Sequence, residues 1–95
     1  GEEAVETLDK YNFTKGFWGT NGISVTKGFS TPEVKEAMVK KHSMENCKKC
    51  YILADSSKFD RMSSVKFADF DQATVLTTGL LKPALKKYKN IVEVK

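Results

Sequence analysis

The chain has 95 residues, room for a single domain, and at this length roughly 60–65% of the unfolded surface is buried on folding, enough for a modest core. Hydrophobic residues make up 40% and charged residues 29%, which argues for a soluble globular domain and against disorder; no apolar run approaches the roughly 18 residues needed to cross a bilayer, and no secretory segment opens the chain, so a cytoplasmic location is expected. The net charge of +4 and isoelectric point near 9.1 come almost entirely from lysine, with Arg61 the sole arginine. A solvated basic surface fits that composition better than base readout, which relies on arginine's rigid fork.

In chain order, Glu2 to Lys10 can form a short helix. Phe13 to Trp18 is aromatic and strand-like despite Gly16. In Gly19-Thr20-Asn21-Gly22, two glycines bracket two small polar residues, which reads as a tight turn or a ligand-facing loop. Ile23 to Val25 extends a strand, and Lys27-Gly28 makes another turn. The clearest helix follows. Thr31 can cap it with Pro32 at the first helical position, or Ser30 and Glu33 can form a capping box. Val34, Ala37, Met38 and Met44 fall on one apolar stripe, and Glu36 and Lys40 share a face four residues apart. The helix should fade near Glu45-Asn46. Tyr51 to Ala54 is a strand ending at Asp55, residues 56–64 are turn-like, and Val65 to Phe67 is a short strand. Ala73 to Leu76 is another, running into Thr77-Thr78-Gly79. Leu80 to Tyr88 can be a helix with Pro83 near its first turn. Ile91 to Val94 is a final strand.

Strands thus alternate with helices, and their runs are apolar rather than alternating, as in a sheet covered on both faces. That pattern predicts an α/β fold with a parallel sheet. In such sheets ligands bind beyond the carboxyl ends of the strands, where Gly19–Gly22, Asp55-Ser56-Ser57-Lys58 and Thr77–Gly79 lie. The Gly19–Gly22 loop offers backbone amides that can cradle an anion, though no P-loop signature follows it; a plain β-turn explains it too. Asp55 can bond sugar hydroxyls while Lys58 pairs with a phosphate, or the pair can be an Asx-type turn beside an exposed lysine. Glu36 and Lys40 either point into the same crevice or form a surface pair.

Cys47 and Cys50 form C-K-K-C just before a strand. A zinc site needs about four ligands, and His42 is the sole histidine; a redox pair belongs at a helix start. Two thiols near a helix–strand junction are the simpler reading. No Ser-His-Asp or Cys-His arrangement suggests itself, and no metal ligands, catalytic residues or cofactor site are expected.

Taken together, "GFWGTNGISVTKGFSTPEVKEAMVKK", "YILADSSKF" and "DQATVLTTGL" resemble the C-terminal effector-binding domain of DeoR-family transcriptional regulators over roughly residues 13–79. Within that family the chain is most similar to sugar repressors of Gram-positive bacteria, such as those of lactose or fructose phosphotransferase pathways. The resemblance implies a Rossmann-like, mostly parallel sheet with flanking helices, related to ribose-5-phosphate isomerase and glucosamine-6-phosphate deaminase. By motif position it places Gly19, Thr20, Asn21 and Gly22 in a ligand loop, Glu36 and Lys40 on the helix bordering it, and Asp55 and Lys58 at the next strand. It implies a phosphorylated sugar as effector, a homo-oligomer, and operator DNA bound only through an N-terminal helix-turn-helix that does not precede residue 13. Residues 1–95 then form the C-terminal part of one sensor domain. The family commonly has acids where Thr14 and Thr78 stand, which argues against the alternative, a sugar-phosphate isomerase or deaminase-like enzyme.

Overall fold

The structure is a computed structural model that describes residues 2–8, 10–79 and 81–94. In chain order the elements are α1 (Glu2–Leu8), β1 (Phe13–Gly19), β2 (Gly22–Ser24), β3 (Gly28–Thr31), α2 (Val34–Glu45), β4 (Cys47–Asp55), β5 (Val65–Ala68), β6 (Thr74–Thr78) and β7 (Ile91–Glu93). Single 3-10 turns occupy Ser56–Lys58, Phe70–Gln72 and Pro83–Leu85. The main sheet has the order β1-β4-β6-β7, and every neighbouring pair is parallel. Its register sets Gly19 beside Leu53, Leu53 beside Leu76, and Asp55 beside Thr78. This is the α/β architecture that the alternating pattern predicts.

One face of the sheet is closed. Ile52 and Val75 are fully buried there, with Trp18, Cys50, Ala54 and Ile91 packed around them, and α2 crosses β1 and β4. A second core joins it where β2, β3 and β5 pair antiparallel. Phe29 is completely buried, its ring 6.2 Å from Phe67 and 6.0 Å from Phe70, and Tyr88 meets Phe70 edge-on at 5.5 Å.

Several expectations are corrected. The apolar strands were expected to be covered on both faces. Among the described residues the opposite face is open: Phe17 is 57% and Leu53 51% exposed, and Phe17 stacks only on Tyr51, at 5.2 Å. The turn at Lys27-Gly28 closes a β2–β3 hairpin, so Ile23 belongs to a separate small sheet and does not prolong β1. Thr31 cannot cap the helix because it pairs with Val65 in β3 and is fully buried. Pro32 favours extended backbone in the residue before it, which keeps Thr31 in the strand. The helix begins at Val34, and no side chain caps it.

On α2, Ala37 and Met44 are buried, but Val34 and Met38 are 61% and 47% exposed. The middle of the inward face is Lys40, whose side chain is only 15% exposed. The expected helix over 80–88 is a single turn at Pro83–Leu85; Leu80 lies outside the described residues. Pro83 holds Lys82 extended, and four lysines in eight residues oppose a regular helix by repulsion.

Gly28 sits at φ +90°, and a Cβ there would lie 2.1 Å from the Ala68 carbonyl oxygen. Gly28→Ala is therefore expected to cost at least about 1–3 kcal/mol from backbone strain alone. Ile52→Ala, which empties the centre of the main sheet, should cost about 2–5 kcal/mol. Chemical denaturation of each variant measures both.

Candidate functional site

Because β1, β4 and β6 run parallel, their carboxyl ends gather on one edge. Three segments extend from that edge. The Gly19–Gly22 loop leaves β1, the Asp55–Lys58 turn leaves β4, and Thr77–Gly79 closes β6. Ile23 bridges Phe59, and the Asp60 amide donates to the Ile23 carbonyl at 2.9 Å. Gly79, at φ +94°, lies against Ser56, whose Oγ would be 2.9 Å from a Cβ at that position. The Asp55–Lys58 turn thus adjoins Gly79, and the residues just after it adjoin Ile23, which follows the Gly19–Gly22 loop.

Within the loop the four residues do different work. A Cβ on Gly19 would meet nothing within 4 Å, so space stands open above it. Gly22 is the reverse: a Cβ there would meet the Arg61 carbonyl oxygen at 2.4 Å, so this glycine serves close backbone packing. Thr20 is buried, and its Oγ1 lies 2.9 Å from the Gly22 carbonyl and 3.0 Å from the Ser30 carbonyl. The Asn21 amide donates to Ser30 at 3.0 Å, and its Oδ1 accepts from the Thr31 hydroxyl at 3.3 Å.

The helix holds this loop through one charge. Lys40 Nζ donates to the Gly19 carbonyl at 2.8 Å, pairs with Glu36 Oε1 at 3.0 Å, and lies 5.2 Å from the centre of the Phe67 ring. The Lys40 hydrogen bond, then its charge, holds the Glu36 carboxyl below its ordinary value, with the Thr31 hydroxyl helping. Glu36 and Lys40 are therefore brought to the loop, and two of the three Lys40 donors are already engaged.

At the end of β4, Asp55 caps the following turn. Its Oδ1 accepts from the Ser57 amide at 2.8 Å and from the Ser57 hydroxyl. The hydroxyl bond, then the amide bond, with smaller contributions from the Lys58 and Arg61 charges, holds Asp55 below its usual range. The Lys58 ammonium has no ion pair or hydrogen bond among the described residues. Thr78, where the related family commonly has an acid, is exposed directly beside Asp55 in the sheet. Thr14 lies in the first half of β1, among exposed residues.

The Ser57 amide bond to Asp55 is the Asx-type turn that the sequence offers as one reading of this stretch. Sequence reasoning missed two other supports: the Ser30 hydroxyl accepts from the Ser63 amide at 2.8 Å, and Asp60 adopts φ +61°. Asp and Asn tolerate the left-handed region better than most residues, so Asp60-Arg61 was a readable turn signal. The cysteines stand at the helix–strand junction that the sequence suggests: α2 ends at Glu45, Cys47 opens β4 and Cys50 is its fourth residue, opposite Phe13 and Gly16 respectively. Three strand positions span about 10 Å, beyond the roughly 7 Å reach of a disulfide. Burial pushes both thiols up, Cys50 with some contribution from Cys47. Among the described residues no three His, Cys, Asp or Glu side chains could hold a metal ion, and no helix is long and apolar enough to cross a membrane.

Two outcomes are expected. Mild oxidation of the protein should leave its intact mass that of the dithiol, with no internal disulfide. Carboxyls held low in the folded state stabilise it above their unfolded values and lose that contribution as pH falls through the folded ones. For Glu36 and Asp55, with ordinary values of 4.5 and 3.8, the loss comes in acid, and solvent screening keeps it small because both are exposed. Carboxyl NMR titration should find both midpoints below those values, with Ser57→Ala raising that of Asp55 and Lys40→Met that of Glu36.

The family model described as the DeoR C-terminal sensor domain matches residues 1–79. The uncharacterized HTH-type transcriptional regulator FruR of Bacillus subtilis (strain 168) is 37% identical over 95 residues, all of this chain and 38% of that protein. The HTH-type transcriptional regulator IolR of the same organism is 37% identical over 79 residues, 83% of this chain and 32% of that protein. The HTH-type transcriptional regulator GlpR of Haloferax volcanii is 35% identical over 78 residues, 82% of this chain and 31% of that protein. The chain spans about a third of the length of these relatives, and they are named as regulators, not enzymes. The sheet, the loop it carries and these matches together make the chain a member of the DeoR C-terminal sensor domain family.

Proposed function

We propose that the chain is the effector-binding part of a transcriptional repressor of sugar catabolism, and that its effector is a phosphorylated sugar bound at the carboxyl edge of the main sheet. The observation that carries this is that Gly19–Gly22, Asp55–Lys58 and Thr77–Gly79 all lie at the same carboxyl edge, with Ser56 against Gly79, in a chain of the DeoR sensor family. In this reading Lys58, a compact cation close enough to Asp55 to act on its carboxyl, attracts the phosphate. Asp55 and Asn21 fix hydroxyls, and the open space above Gly19 admits the ligand close to the backbone. Thr20 and Gly22 shape the loop, while Glu36 and Lys40 border the pocket and hold the loop against α2.

The mechanism is a population shift: effector binds one sensor conformation better, and the difference in affinity is transmitted to the DNA-binding part of the intact protein. The intact protein would reach operator DNA through its N-terminal region and work as a homo-oligomer in the cytoplasm. Names of relatives support regulation as the role, since FruR, IolR and GlpR are each named as HTH-type transcriptional regulators.

A thermal-shift series of the intact protein with fructose 1-phosphate, tagatose 6-phosphate and glucosamine 6-phosphate tests the effector class. A ligand present at about 100 times its dissociation constant should stabilise the native state by about 2.7 kcal/mol. Lys58→Ala should abolish the shift while leaving the melting temperature of the free protein unchanged. A series without any shift removes these phosphorylated sugars as effectors. An unchanged response in Lys58→Ala removes Lys58 from the pocket.

A further inference from the structure

The chain's excess positive charge is concentrated in one short segment. Of 16 basic and 12 acidic side chains, Lys82, Lys86, Lys87 and Lys89 supply four basic groups within eight residues that contain no acid. The rest of the chain therefore balances, 12 against 12. All four lysines are exposed. Lys82 is paired with Asp60 at 3.1 Å, whereas Lys86, Lys87 and Lys89 have no acidic partner among the described residues. Lys87 lies 5.3 Å from the centre of the Tyr88 ring, which leaves its charge uncompensated.

This strip is not a loose tail. Leu81 and Leu85 are buried, and Tyr88 packs edge-on against Phe70. The Asn90 side-chain amide donates to the Phe70 carbonyl at 3.0 Å and the Ala73 carbonyl at 3.1 Å, and the Asn90 carbonyl accepts from Val75 at 2.7 Å. The large apolar groups of the segment, Leu81, Leu85 and Tyr88, face inward, and the cations, with the small Pro83 and Ala84, are exposed on a backbone fixed by these contacts. Such a strip offers charge without anything to insert into a lipid layer, which disfavours a membrane. It offers point charges without an arginine fork, which suits phosphate oxygens and not base edges.

We propose that Lys86, Lys87 and Lys89 form a contact surface for the phosphate backbone of duplex DNA, used by the intact regulator without regard to sequence. The inference rests on the reading of the intact protein as a DNA-binding regulator and adds to it a second, sequence-blind contact made by the sensor part. Each neutralised phosphate contributes roughly −0.9 to the slope of log affinity against log salt concentration.

The test compares the intact protein with its Lys86→Gln/Lys87→Gln/Lys89→Gln variant. Both are titrated, between about 50 and 200 mM salt, against a duplex from upstream of the protein's own gene and a duplex of random sequence. The variant should have an unchanged melting temperature and a slope shallower by about 2–3 on both duplexes, with its preference between them preserved. Equal slopes for the two proteins, with the unmodified protein binding DNA, would overturn the contact surface and leave the regulator reading intact. An unmodified protein that binds neither duplex would overturn both. Equal slopes joined to lysine-dependent pelleting with phosphatidylglycerol vesicles would reassign the strip to a lipid surface.

Discussion

Parallel pairing of β1, β4 and β6 is the constraint from which the rest follows. Two parallel neighbours cannot be joined by a tight turn, so the chain must travel back to the starting edge between them. The first return carries the β2–β3 hairpin and α2. The second carries β5, which completes the small antiparallel sheet. Both returns leave from the same edge, and the segments that begin them are Gly19–Gly22 and Asp55–Lys58. The candidate site is a consequence of strand direction before it is a consequence of any loop sequence. Shifting β4 by one residue would turn Asp55 to the other face and carry Ile52 out of the core.

The interior of this edge is polar, and its polar groups are matched. Thr20, Ser30, Thr31 and Thr77 are buried, and among the described residues no buried side-chain nitrogen or oxygen lacks a partner. Lys40 is the least expected member of this seam, since it replaces an apolar residue at the centre of the α2 face. Its ammonium meets a carbonyl, a carboxylate and an aromatic ring at once. That set offsets the desolvation a partly buried cation incurs, and it binds helix, loop and small sheet into one unit.

What the sequence made legible follows from how local each signal is. The strands at Tyr51–Ala54 and Ala73–Leu76 are apolar runs and were found, though β4 begins earlier, at Cys47, and β6 spans Thr74–Thr78; the body of α2 was found from its helical spacing. The Glu36–Lys40 pair needs only helical spacing and is present. The β3 strand was hidden because Gly28 and Ser30 look like turn and cap residues. Their strand role comes from pairing: Gly28 with Ser24 across the hairpin, and Ser30 with Lys66, far along the chain. Position 31 had two local readings, cap or strand, and tertiary pairing decided between them. The segment 81–88 failed as a long helix although Leu81 and Leu85 have helical spacing and are buried: Lys82 is extended before Pro83, and a single turn follows. The three loops were each legible as polar punctuation. That all three leave one edge was not, because no short-range signal carries strand direction.

Trp18 lies one residue before the loop and is the chain's sole tryptophan. Its indole N–H donates to the Ser43 hydroxyl at 2.8 Å, and its ring covers Gly16 so closely that a Cβ there would fall 2.2 Å from a ring carbon. The indole is thus trapped between the last part of α2 and the strand that ends in Gly19, half in water and half in the core. Intrinsic fluorescence of this domain therefore comes from the seam joining helix to loop. Any rearrangement that slides α2 along β1 changes the polarity around that one fluorophore, and its emission colour becomes a built-in gauge of the conformation at the candidate site.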